Sequence, residues 1–122
     1  MRLPEKYFGA LFEQLIGIEI LKLIRIFARQ AKLRYWRDHA GPEVDYIIEY
    51  NRQYLPIEVK WTKQPAKSDA KHIITFMKEY DCAKPAYLVC QTPRSFEIAE
   101  NIIAINWLDL PYNIKKFLNA SF

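Results

Sequence analysis

The chain has 122 residues, a length that suits one domain with one core, in which about two thirds of the unfolded surface can be buried. With 51% hydrophobic, 15% aromatic and 26% charged residues, its composition argues against a disordered segment. The net charge of +4 and pI near 9.1 favour a polyanionic partner such as nucleic acid over an acidic protein surface.

Met1 to Glu5 lacks the apolar stretch and cleavage site of a signal peptide. From Gly9 to about Arg29 apolar residues recur at helical spacing, with Pro4 and Glu5 as a start signal. Glu13, Gln14, Glu19, Lys22 and Arg25 interrupt this stretch and would be costly in lipid, so it reads as a helix of a water-soluble protein with no membrane partner. Gln14, Lys22, Arg25 and Arg29 fall in one polar stripe, opposite Phe12, Ile16, Ile20, Leu23 and Phe27. Glu13 and Glu19 break the pattern by pointing inward. Each then needs a cation, a metal or hydrogen bonds to offset its desolvation, and an ion pair to an arginine would serve.

Leu33 to Asp38, Glu43 to Tyr50 and Tyr54 to Trp61 read as strands of an antiparallel meander, separated by Gly41-Pro42 and by Asn51-Arg52. A hairpin centred between Asn51 and Arg52 pairs Tyr50 with Gln53 and so places Asp45 opposite Glu58. Their Cβ atoms would lie about 4.5–5.5 Å apart, an unfavourable pairing without a cation. Alternation puts Glu58 and Lys60 on one face and Ile57, Val59 and Trp61 on the other. Ile47 indicates that the charged face is partly covered, and the long helix is expected to pack there and bring Glu13 close.

Ser68 and Asp69 open a second helix whose apolar face carries Ile73, Phe76, Met77 and Tyr80. Ala86 to Cys90 reads as a buried central strand, implying a sheet covered on both faces. A helical turn is expected at Phe96 to Glu100, a short strand at Ile102 to Ile105 and a closing helix at Pro111 to Leu118. No repeat or linker argues for a second domain. Cys82 and Cys90 form no C-x-x-C and do not cluster with His39 or His72, so zinc ligation is not indicated. A buried free thiol at Cys90 fits a reducing, cytoplasmic setting.

An inward glutamate on a long helix, Asp45 on a second strand and Glu58-Val59-Lys60 on its partner strand together resemble the order of the PD-(D/E)XK nuclease superfamily. The chain is most similar to the carboxy-terminal domain of unknown function 4143 found on prokaryotic AAA-type ATPases. That resemblance rests on Gly9, Phe12-Glu13, Glu19-Ile20, Tyr35-Trp36-Arg37-Asp38, Gly41-Pro42-Glu43-Val44-Asp45 and Pro56-Ile57-Glu58-Val59-Lys60, and covers nearly the whole chain. It implies a restriction-endonuclease-like α/β core over residues 1–122: a long first helix, the meander, then βα units in a mixed sheet flanked by helices. Such families usually carry an ATPase half ahead of this domain. Here Met1 stands just before the helix and no G-x-x-x-x-G-K-[ST] occurs, so nucleotide hydrolysis of that kind is not expected.

The resemblance also implies Mg²⁺ or Mn²⁺ held by Asp45, Glu58 and the Val59 carbonyl, with Glu13 bound through water and Glu19 a weaker candidate for that role. Lys60 would orient the attacking water or stabilise the transition state, and the activity would be hydrolysis of DNA, with RNA left open. Arg37 on the neighbouring strand would neutralise the acids or contact phosphate. Without a metal, the same residues would be a salt-bridged structural cluster. The competing function is a catalytically silent module that binds nucleic acid or an AAA-type ATPase partner, and a homodimer through Trp107 and Tyr112 is a third reading. Lys63, Lys67 and Lys71 offer a basic rim, and His39 reads as a loop residue.

Overall fold

A computed structural model describes residues 4–118. Helix α1 (Glu5–Phe27) is followed by β1 (Lys32–Arg37), β2 (Glu43–Tyr50) and β3 (Gln53–Val59). Helix α2 (Lys71–Glu79), strands β4 (Ala86–Cys90), β5 (Phe96–Ala99) and β6 (Ile102–Asn106), and helix α3 (Leu110–Leu118) complete the order. The six strands form one mixed sheet in the order β1-β2-β3-β4-β6-β5. The first three strands are antiparallel, β3, β4 and β6 run parallel, and β5 returns antiparallel at the far edge.

The meander and its register follow the local signals. Asn51 and Arg52 both take positive φ (52° and 64°), the conformation of a two-residue turn whose twist matches the paired strands. Tyr50 therefore faces Gln53, and the ladder runs outward to Tyr46 opposite Ile57. In β4 every residue is buried, and apolar clusters lie on both sides of the sheet. The region expected to form a helical turn at Phe96 to Glu100 instead contains β5. Asn101, with φ of 61°, turns the chain tightly enough for Phe96 to pair with Ala104, so strand pairing overrides the local helical preference.

The face covered by α1 is a second correction. Phe12, Ile16, Ile20, Leu23 and Ile24 pack with Ile48, Leu55, Ile57 and Val59, on the side of β3 opposite Glu58. Ile47 belongs to the other layer, with Phe76 of α2 and Cys82. Burying each such aliphatic or aromatic side chain is worth about 1.5–3 kcal/mol, so α1 follows the continuous apolar set of β3. Gln14, Lys22, Arg25 and Arg29 are exposed, as helical spacing suggested, but Phe27, expected on the core face, is exposed too, and the outward face is not polar throughout. Leu11, Leu15, Ile18 and Ile26 are exposed there.

One irregularity shapes the site. Arg34 of β1 faces Ile47 of β2, yet Trp36 faces Val44, so Asp45 and Tyr46 together oppose the single residue Tyr35. Such a bulge bends the strand and re-aims a side chain. It lets Val44 and Ile47 face α2 while Tyr46 and Ile48 face α1.

Candidate metal centre

The bulge on β2 and the end of β3 bring two carboxylates together just beyond the last ladder pair. Main-chain N–H of Asp45 donates to Glu58 Oε1 (3.0 Å), and that of Val59 donates to Asp45 Oδ2 (2.9 Å). Each acid thus takes a main-chain hydrogen on the neighbouring strand, which holds both side chains in place and leaves Asp45 Oδ1 and Glu58 Oε2 outside these two bonds. A strand residue directs its N–H and C=O to the same side, so the Val59 carbonyl is turned toward β2 as well.

Glu58 is buried, at 6% exposure, and Glu13 reaches the pair from α1 although α1 covers the other face. The bulge resolves this apparent conflict. Tyr46, neighbour of Asp45, turns to α1, where its hydroxyl donates to the Glu13 carbonyl (2.8 Å) and its ring lies against Gly17. A cavity of about 420 Å³ is lined by Glu13, Asp45, Glu58, Lys60, His72 and Lys6, among others. Lys60 is anchored through its main-chain N–H to Val89 of β4 (2.9 Å), and its charge acts to lower the pKa of Glu58.

The charge balance explains the protonation. A hydrogen bond with Asp45, followed by burial and the negative charges of Asp45 and Glu43, raises the Glu13 pKa to about 7. Burial is the main cause of a rise to about 6 at Asp45, assisted by the charge of Glu58 and opposed by the hydrogen bond from Glu13. Glu58 is also raised, by burial, against hydrogen bonds from Asp45 and the charge of Lys60. All three carboxyls are thus pushed toward the protonated form in the absence of a cation.

These shifts predict an inverted pH dependence for metal-free protein. All three acids have folded pKa values above their unfolded ones, so their stabilising contribution is complete below about pH 4 and is lost as pH rises through the folded values, about 6 for Asp45 and about 7 for Glu13. The melting temperature in chelator should fall by roughly 5 °C between pH 5 and pH 8, and Mg²⁺ should restore more of it at pH 8 than at pH 5. Melting that rises with pH in chelator would contradict this charge balance. Asp45→Asn, which keeps an acceptor for Val59, should flatten the profile.

The other expected residues distribute differently. Glu19 pairs with Lys22 one turn along α1 (3.7 Å) and does not line the cavity. Arg37 lies on the edge strand and pairs with Glu43 (3.0 Å), not with Asp45 or Glu58, because its side chain projects into solvent there. Lys63, Lys67 and Lys71 are exposed and line none of this cavity, and exposed His39 sits in the β1–β2 turn. Residues the sequence did not assign to the site are Lys6, Glu43 and His72. His72 at the start of α2 has Nδ1 3.0 Å from the Glu43 carbonyl and 3.9 Å from Glu58 Oε2. No linear spacing links His72 to Glu58, since α2 reaches it only by packing on the sheet.

The donors are all hard oxygens, suited to Mg²⁺ or Mn²⁺ rather than to a soft metal. Among the described residues no group of three His, Cys, Asp or Glu side chains is arranged to hold an ion. A Mg²⁺ ion commonly takes only one or two protein carboxylates and keeps several waters, so Asp45 and Glu58 with the Val59 carbonyl fit that donor set.

Fold and site together define a mixed α/β domain with two carboxylates fastened across the open end of a strand pair. Residues 8–110 match the model of a domain of unknown function, DUF4143, and the chain belongs to that family. No curated protein is similar enough to match it. Among the described residues no helix is long and apolar enough to cross a membrane.

Proposed function

We propose that this chain is a metal-dependent nuclease of the PD-(D/E)XK type, with a restriction-endonuclease-like core, that hydrolyses phosphodiester bonds in DNA. The observation that carries the reading is the reciprocal pair of bonds fastening Asp45 and Glu58 across β2 and β3, with Lys60 two residues on and lining the same cavity. Asp45, Glu58 and the Val59 carbonyl would hold Mg²⁺ or Mn²⁺, and Glu13 would contribute through water. The metal would supply Lewis acidity and a lowered pKa for bound water. Lys60 orients the attacking water and offsets charge growing on the scissile phosphate. The Glu13 pKa, raised to about 7 beside Asp45, would fall if positive charge entered the site. Buried free thiols at Cys82 and Cys90 favour a cytoplasmic setting.

A second reading is a silent nuclease-fold module that binds nucleic acid or an AAA-type ATPase partner. One observation favours it: Leu11, Leu15 and Ile18 stand exposed along the outer face of α1, as a helix does where another surface covers it. The two readings separate on a panel of labelled single-stranded, duplex and branched DNAs incubated with Mn²⁺. Cutting by wild type that Glu58→Gln abolishes supports the enzyme, whereas well-folded wild type that cuts nothing supports the module.

A further inference from the structure

The acid cavity is not isolated. It shares Glu13, Glu43 and Asp45 with a neighbouring cavity of about 530 Å³ along β1 and β2, which in turn shares Tyr35, Trp36 and Arg37 with a third over the β1–β2 turn. The three adjoin through these shared residues, and together they outline a groove whose acid end is the first cavity. An aromatic side chain stands on each side of the acids. Tyr35, opposite the bulge, is 76% exposed although it lies in a strand, and lines the second and third cavities. Trp61, just beyond β3, lines the acid cavity, is 44% exposed and is held by Phe12 edge-on (5.1 Å) and Phe8 (6.2 Å).

Tyr35 stands apart from the ion pairs that fix its strand neighbours. Its edge-strand neighbours Arg34 and Arg37 are occupied by Glu49 and Glu43, while the Tyr35 ring has no aromatic or cationic neighbour among the described residues. A large ring left in water in a cavity that also holds Glu13 and Asp45 offers a platform for a flat apolar ligand. Bases of an unpaired strand offer such faces, whereas in a duplex they are stacked on one another and closed to the protein.

We infer that the groove takes single-stranded nucleic acid, with Tyr35 stacking on a base on one side of the scissile phosphate and Trp61 on the other. This rests on the nuclease reading of the acids, and deepens it by assigning the substrate class and a binding residue. Tyr35 is a substrate-binding residue of this groove, and Trp61 is pre-oriented for the same task by α1. Lys6 and Lys60 supply positive charge at the Trp61 end.

The test is fluorescence anisotropy of a labelled single-stranded oligonucleotide and of the same sequence as a blunt duplex, with the full chain in Ca²⁺ and the strands checked for integrity. The variants are Tyr35→Ala and Tyr35→Phe. Single strand should bind more tightly than duplex, Tyr35→Ala should weaken single-strand binding roughly 5- to 100-fold, the range of one lost base stack, and Tyr35→Phe should keep it. Duplex preferred over single strand, or Tyr35→Ala indistinguishable from wild type, overturns the inference. Repeating the comparison in Mn²⁺ separates the two proposals. Tyr35-dependent binding without cleavage upholds the groove and sinks the nuclease reading, whereas cleavage that ignores Tyr35 sinks the groove alone.

Discussion

Mn²⁺-dependent cleavage by Glu58→Gln is expected to fall on the order of 1000-fold, with the fold intact. Glutamine keeps a carbonyl to accept the Asp45 N–H, so the 3.0 Å bond survives. Alanine would leave that half-buried N–H without a partner, at about 1–3 kcal/mol, and would confuse stability with chemistry. What glutamine removes is one negative charge from the set that would hold the cation. Lewis-acid stabilisation is worth several kcal/mol, and about 1.4 kcal/mol is tenfold in rate, which sets the expected loss. Mg²⁺ should raise the melting temperature of wild type and much less that of Glu58→Gln, because an ion that binds only the folded state stabilises it. Lys60→Met should differ in kind: it should keep the Mg²⁺-induced rise and lose roughly 100-fold in kcat, since the proposed role of Lys60 is on water and phosphate, not on the cation. Wild-type rates in Glu58→Gln would remove Glu58 from the chemistry.

Gly17→Ala should destabilise the protein by about 1–2 kcal/mol, against the usual direction for such a change in a helix. Alanine in a helix interior normally gains up to about 1 kcal/mol over glycine. At position 17 a Cβ would lie 2.7 Å from Cζ of Tyr46 and closer still to its hydroxyl oxygen. The ring cannot swing aside freely, because the hydroxyl bonds the Glu13 carbonyl and the ring packs against the main core. Overpacking of this kind costs about 1–3 kcal/mol and is expected to outweigh the helical gain. The strain falls on the residue next to Asp45, so cleavage should drop with stability. In a Tyr46→Ala background the same Gly17→Ala change should become stabilising, a reversal that chemical denaturation of the four proteins would read as coupling between the sites. A stabilising Gly17→Ala in the wild-type background would mean that Tyr46 is not fixed as the geometry indicates.

Much of the frame was legible in the residues themselves. Asn51-Arg52 between two β-branched and aromatic runs defines a hairpin, and its register runs as expected from Tyr50 opposite Gln53 to Tyr46 opposite Ile57, one step short of Asp45 and Glu58. The uninterrupted run Ala86 to Cys90 marks a strand buried on both faces, as β4 is. In each case a local turn or a short-range periodicity carries the information, so a linear reading recovers it.

Other features depended on packing between distant segments. Helical spacing on α1 shows an apolar face but not which side of the sheet it meets. The choice falls to Ile57 and Val59, whose clustering with Ile48 and Leu55 outcompetes the surface around Ile47. The bulge at Asp45 and Tyr46 has no mark in the sequence, since it arises from the pairing of two strands against each other. His72 approaches Glu58 only because α2 docks on the sheet, and Tyr35 and Trp61 flank the acids only because β1, β2 and β3 lie side by side. The residues alone specify the hairpin and its register as far as Tyr46 opposite Ile57, because a two-residue turn leaves a hairpin little freedom. Packing of distant segments set how Glu13 joins the two acids, which cations and aromatics surround them and that their pKa values rise, because burial and long-range charge exist only once the layers have packed.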